Sequence, residues 1–140
     1  MSNIFEAYST DSKLEQSGIP VSFGENGTFY VARAGGENSR FQTCMLKTMA
    51  PYRRQLELKA KNPDKQTLDL LRKLQIEVYA DSIVLGWDEK VCGRDGNPLP
   101  FNRDNCVMLL TALPVVFDEI VDKSSNWGSF QADLEADAKN

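Results

Sequence analysis

The stretch from Asp64 to Leu85 constrains the fold of this chain more than any other part of it. Leu68, Leu71, Gln75, Val78 and Tyr79 fall on one stripe at helical spacing, and Leu70, Leu74 and Ile76 widen it. Continued through Ile83, Val84 and Leu85, such a helix is apolar over much of its circumference, the pattern of a central buried element. Asn62-Pro-Asp64 breaks the chain ahead of it, and Asp64 can cap its first turn. A chain of 140 residues can bury one modest core, and this helix is expected at its middle.

The remaining elements follow from punctuation and period. Residues 1–18 are polar without clear periodicity and are expected to form an arm or loosely docked lead-in to a single domain over 19–140. Pro20-Val-Ser-Phe23 and Thr28-Phe-Tyr-Val-Ala-Arg33 flank Gly24-Glu-Asn-Gly27, which predicts a hairpin at about 20–33. A lone hairpin is marginal in water and must pack on something else. After Ala34-Gly-Gly36, Asn38 or Ser39 can cap a helix at about 38–50, with Phe41, Cys44, Met45 and Thr48 on one face. Pro51 stops or kinks this helix or opens a new one at about 51–61 that includes Leu56. The central helix occupies about 64–85. Gly86 to Pro100 is loop-like, with room for a second short hairpin around Val91 and Leu99. Asn102 offers a cap for a helix over about 102–124, interrupted at Pro114, and Trp127, Phe130 and Leu134 anchor a last acidic helix at about 126–137. The expected fold class is mainly α with a short N-terminal β-hairpin, a single-domain helical assembly.

Chemistry is harder to find than architecture. The chain has no histidine, which removes the usual general base, the commonest zinc ligand and every Ser-His or Cys-His dyad. Cys44, Cys92 and Cys106 are odd in number and widely spaced, which describes neither a disulfide framework nor a structural zinc site. Gly35 and Gly36 belong to no phosphate-binding loop, and the adjacent pairs Asp88-Glu89 and Asp118-Glu119 point apart on a helix. No catalytic, cofactor-binding or metal-binding residues are therefore expected, no cofactor, and no enzyme.

The charge pattern is more informative. The net charge of −4 argues against a nucleic-acid partner, which calls for a basic excess. Within that acidic total, Arg40 to Lys73 is basic and Asp118 to Asp137 mainly acidic. No stretch approaches the roughly 20 apolar residues of a membrane span. The first residues lack the basic start and apolar run of a targeting segment, so a cytoplasmic location is expected.

Four groups are candidate contact surfaces. Arg33-Ala-Gly-Gly-Glu-Asn-Ser-Arg-Phe41 is either a tight junction needing backbone freedom or a contact surface in which Arg33 and Arg40 fork carboxylates, beside Phe41. Pro51-Tyr-Arg-Arg54 sets Tyr52 beside the cations Arg53 and Arg54. Gly96-Asn-Pro-Leu-Pro-Phe101 has the form of a loop clipped to the core by Leu99 and Phe101. Trp127 and Phe130 either close the core or present an exposed anchor.

Taken in order, these strings resemble the tail assembly chaperones of long-tailed, siphovirus-type bacteriophages. The resemblance rests on Ala34-Gly-Gly36 with Asn38 and Arg40-Phe41, on Pro51-Tyr-Arg-Arg54, and on Val84-Leu-Gly-Trp87. It continues in Asp95-Gly-Asn-Pro-Leu-Pro-Phe101 with Asn105, in Leu113-Pro114 with Phe117, and in Glu135-Ala-Asp-Ala-Lys-Asn140. Asn102 and Asp104 depart from the Thr or Ser and the Glu common in that family, although Asn caps a helix as well as Thr does. The resemblance implies a late protein of viral tail assembly, present in the host cytoplasm and absent from the mature virion. Such a protein binds the tape measure protein and works with the major tail tube protein as the tube assembles around it. Self-association is a further expectation, the acidic C-terminal helix meeting the basic region of a neighbour. The resemblance also implies a longer form made by ribosomal frameshifting, with Ala138-Lys-Asn140 as the position where a slippery heptamer would fall. The competing reading is a structural component of the virion, a tail-completion or head–tail joining protein.

Overall fold

The polar lead-in folds onto the body as two short helices, α1 (Ile4–Ala7) and α2 (Ser12–Ser17), in a computed structural model that describes residues 3–131. Asn3 caps α1 by accepting from the Glu6 N–H, and Asp11 caps α2 by accepting from the N–H groups of Lys13 and Leu14. The segment is more firmly held than its polarity suggested. Glu15 is buried, and the Asp11 N–H donates to the Phe130 carbonyl at 2.7 Å. Periodicity gave no sign of this because the anchor is a carboxylate and not an apolar stripe.

The predicted hairpin forms from β1 (Ile19–Ser22) and β2 (Thr28–Val31), paired antiparallel with Val21 opposite Phe29. Its turn uses Gly24 and Gly27, both at positive φ. The hairpin's missing support is a third strand, β3 (Val84–Trp87), antiparallel to β2 with Phe29 opposite Trp87 and a register shift between Tyr30 and Val31. This corrects the expected extent of the central helix. Ile83, Val84 and Leu85 do not extend it; β-branched residues ahead of Gly86 suit a pleated strand, and joining the sheet stabilises an otherwise marginal hairpin.

Helix α3 (Ser39–Met49) is followed by a 3-10 turn at Ala50–Tyr52 and a short α4 (Arg53–Leu58), which stops earlier than expected. The central helix α5 (Lys65–Ser82) is capped as predicted, Asp64 accepting from the Thr67 N–H at 2.8 Å. Its buried residues are Thr67, Leu74, Ile76, Val78, Tyr79, Ala80 and Ser82. Of the predicted stripe, Leu74, Ile76, Val78 and Tyr79 are buried, whereas Leu68 and Gln75 face solvent. The helix packs on α3 on one side and on the C-terminal helices on the other, so its buried surface is wide near the C-terminal end and narrow near the start. Tyr79 sits edge-on between Phe41 and Phe117, with ring centres 5.8 and 5.4 Å away.

The expected helix at 102–124 is two helices, α6 (Arg103–Ala112) and α7 (Pro114–Ser125), because Pro114 occupies the first turn of the second. Asn102 caps α6 by accepting from the Asn105 N–H at 2.8 Å. Between β3 and α6 the chain makes a small hairpin-like loop with Cys92 bridged to Pro98. The Trp87 indole N–H donates to the Leu99 carbonyl at 2.7 Å and its ring meets Phe101 at 4.9 Å, so the loop is clipped to the sheet as expected. Trp127–Phe130 is one 3-10 turn, not the start of a regular α-helix. The rest of the acidic helix expected at 126–137, and Ala138-Lys-Asn140, lie outside the described residues. The architecture is a single domain, mainly α, with a small three-stranded antiparallel sheet.

Candidate protein-interaction surfaces

Helix α3 carries apolar residues on two faces. Phe41, Cys44 and Thr48 turn toward α5, and Phe41 is buried there. Leu46 and Met49 lie to one side of that face, and with Met45 at its margin they turn toward α4. Pro51 cannot donate a backbone hydrogen bond and ends the helix, so the chain turns and brings α4 alongside with Leu56 and Leu58. The resulting elbow holds a cleft of about 490 Å³ lined by Met45, Leu46, Met49 and Leu56, with Arg53 and Glu57 at its rim. Leu46 is 74 % exposed and Leu58 75 %, so no part of this chain among the described residues covers the elbow. Isolated exposed leucines need no explanation, but an apolar cleft between two helices does.

The elbow lies in a basic stretch of the chain, with Arg53 at the cleft itself. Arg40, Lys47, Arg53, Arg54, Lys59 and Lys61 are all exposed on this part of the chain. Arg53 pairs with Glu57 at 3.1 Å and Lys59 with Asp64 at 3.7 Å, both pairs open to solvent and screened by it. Arg40 and Lys47 also border an open cleft on the side of α3 facing Asp81.

The residues singled out from sequence divide into two places. Arg40, Tyr52, Arg53 and Arg54 lie along α3, its turn and α4, with Tyr52 half-buried and the three arginines exposed. Arg33, Trp127 and Phe130 belong instead to the anchorage of the N-terminal segment. Arg33 pairs with buried Glu15 at 3.3 Å, Phe130 is fully buried, and Trp127 stacks on Tyr8 with ring centres 5.1 Å apart. Phe41 is likewise in the core. Phe41 and Phe130 are thus not available as contacts, because each fills space between elements of its own chain.

The Arg33–Phe41 junction owes the second of its glycines to Glu15. The Glu15 carboxylate accepts from the Glu37 N–H at 2.8 Å, from the Thr10 hydroxyl, and from Arg33. Gly36 stands at φ 54°, and a Cβ there would overlap Glu15 Oε2. Asn38 does not cap α3 with its side chain; its Nδ2 donates to the Arg33 carbonyl at 2.8 Å and fastens the junction instead.

Sequence reasoning missed the apolar half of the elbow. A signal was present, since Leu46 and Met49 are surplus to the face that holds Phe41, Cys44, Met45 and Thr48. It also missed two further uncovered apolar features: Ile4 and Phe5 on α1, and Met108, Leu113 and Val115 where α6 meets α7. The chemistry elsewhere is quiet. Burial, and secondarily the nearby Asp81 charge, push the Cys106 thiol up to about 12, leaving it protonated and unreactive at neutral pH. Among the described residues no group of His, Cys, Asp and Glu side chains is placed to hold a metal ion, and no helix is long and apolar enough to cross a membrane.

A protein-family model described as YdaY prophage protein matches residues 36–140. The match begins at the glycine that abuts Glu15 and takes in the elbow, the central helix and both C-terminal helices. No curated protein and no solved structure matches the chain.

Proposed function

The chain belongs to the YdaY prophage protein family and is phage-derived, and from that premise we propose that it is a tail assembly chaperone that binds the tape measure protein. The observation that carries this reading is the uncovered apolar cleft of the α3–α4 elbow, with Arg53 at its edge, in the basic stretch of the chain. An amphipathic helix lays its apolar face in such a groove, and acidic residues flanking that face meet the surrounding cations. In this reading Leu46, Met49 and Leu56 take the apolar side chains, while Arg53 and Arg54 set orientation and hasten encounter. Covering the apolar faces of a long helical partner keeps it soluble while tail tube subunits assemble around it. The protein acts in the host cytoplasm and leaves before the particle is complete.

A longer frameshifted form belongs to the same proposal. The codons for Ala138-Lys-Asn140 would carry the heptamer A AAA AAC, and sequencing the gene checks this directly. The binding function is tested by co-expression with fragments of the tape measure protein. The wild-type chain should keep a fragment in the soluble fraction, and Leu46→Asp with Leu56→Asp should release it to the pellet. Fragments that stay equally soluble with the variant would remove the elbow from the mechanism. Mass spectrometry of purified virions should lack the chain; stoichiometric presence would make it a structural tail-completion or head–tail joining protein.

A further inference from the structure

Among the described residues, polar contacts join the N-terminal arm, residues 3–18, to the rest of the chain at two places. One is Glu15. Its backbone carbonyl accepts from the Arg33 N–H at 2.9 Å, and its carboxylate accepts from the Glu37 N–H at 2.8 Å and pairs with Arg33 at 3.3 Å. The other is the C-terminal turn. The Asp11 N–H donates to the Phe130 carbonyl at 2.7 Å, the Gln131 amide donates to the Ala7 carbonyl at 3.0 Å, and Tyr8 stacks on Trp127.

The turn leans on the arm in return. Phe130 is fully buried yet lies outside the main apolar cluster, in a turn that touches α2 and α7. Apart from the bond from Asp11, the hydrogen bonds of that turn's backbone are local, to Asn126 and Gly128. Arm and turn together bury little. Glu15 is the one buried side chain of α1 and α2, whereas α5 buries seven. A segment with so few buried apolar contacts opens at a lower free energy than the core does. Gly18 supplies the pivot, since it stands at φ 94° and the chain beyond it is fixed in the sheet as β1.

We infer that the arm is a strap over the C-terminal turn, and that strap and turn open as one unit while the sheet and the central helix stay folded. Neither piece leaves without cost to the other. Freeing the arm takes the α2 wall from Phe130, and freeing the turn leaves Glu15 as the arm's remaining polar attachment. Closed, the unit keeps Phe130 from water; open, it bares Phe130 beside Trp127 on the outgoing chain. The elbow on α3 and α4 supplies neither attachment, so the inference stands whatever the elbow binds.

Native-state hydrogen exchange on the full-length chain tests this by altering one attachment and reading the other. In the wild type the amides of Asp11, Arg33, Glu37 and Ser129 should share one opening constant and exchange well ahead of those in the buried half of α5. Glu15→Gln removes the ion pair and should speed exchange at Asp11 and Ser129 about tenfold. Tyr8→Ala with Gln131→Ala alters only the contact with the turn, and should speed Arg33 and Glu37 by the same factor as Ser129. Tyr8 and Gln131 are exposed, so this variant stays folded and carries the test alone if Glu15→Gln unfolds. A variant that speeds exchange only at its own attachment would overturn the inference, because arm and turn would then open separately. So would wild-type amides at these four positions that exchange in step with α5, since the strap would then be part of the core.

Discussion

Glu15 fastens the N-terminal segment to the glycine junction, and its ionisation decides how firmly. Burial alone would raise its carboxyl pKa, but the Thr10 hydroxyl, the Glu37 N–H and Arg33 together outweigh that and hold it below the usual 4.5. A carboxylate with a depressed folded pKa contributes stability that is complete above the unfolded value and disappears as pH falls through the folded one. Acid titration of stability should therefore show a loss beginning near pH 4.5 and continuing below it. Glu15→Gln should flatten that part of the curve; an unchanged acid limb would mean the clamp contributes nothing. Glu15→Ala should cost about 2–3 kcal/mol, since it leaves the Glu37 N–H and Arg33 without their acceptor. Gly36→Ala should destabilise for the complementary reason, its Cβ meeting the same carboxylate. At the same scale, a thiol reagent should label exposed Cys92 quickly in the native state and Cys106 only on unfolding. Capping was legible in the sequence because it is local chemistry: Asp64 and Asn102 cap as read. Glu15 was not legible, because nothing near it in the chain announces partners at Arg33 and Glu37.

At the scale of elements, the existence and type of most were legible, and how far burial runs along the central one was not. The stripe through Leu68 and Gln75 assumed one uniform buried face, whereas α5 is enclosed mainly along its C-terminal half, where α3, β3 and α6 converge. That difference can be measured. Leu74→Ala, at a site 2 % exposed, should cost roughly 2–5 kcal/mol, a large share of a typical 5–15 kcal/mol total. Leu68→Ala, half exposed near the start of the same helix, should cost under about 1 kcal/mol. Equal costs at the two sites in chemical denaturation would show that the N-terminal half of α5 is covered in solution. Helix α4 belongs to the same argument. It packs mainly on the turn ahead of it, so its apolar residues add little to the fold and remain free for a partner. Phe41 and Phe130, two of the candidate contact residues, fill the core instead, because an aromatic can serve its own chain's interior as readily as a partner.

Over the whole molecule, charge distinguishes the elbow from the other uncovered apolar features, which the apolar pattern alone would merge with it. Between Arg40 and Lys61 the chain carries six cations, Arg40, Lys47, Arg53, Arg54, Lys59 and Lys61, against the single carboxylate Glu57. That local excess of +5 sits in a chain of net −4, so the remainder carries −9 (−4 less +5). An acidic amphipathic helix is drawn to the elbow and repelled elsewhere, and the attraction is screened as the Debye length shrinks from about 10 Å at 0.1 M salt to about 3 Å at 1 M. Binding of a tape measure fragment, followed by calorimetry or anisotropy, should weaken about tenfold over that range, a change of about 1.4 kcal/mol. Arg53→Glu with Arg54→Glu should weaken binding at low salt and make it less sensitive to salt, with the thermal midpoint unchanged because both side chains are exposed. Leu46→Ala should weaken binding by a similar factor at every salt concentration, because it removes apolar contact without changing charge. The two variants together therefore separate the floor of the elbow from its rim. Affinity indifferent to salt and to the arginine changes, yet weakened in Leu46→Ala, would assign the elbow to a neutral apolar helix. Affinity indifferent to all of them would remove the elbow from the proposed contact.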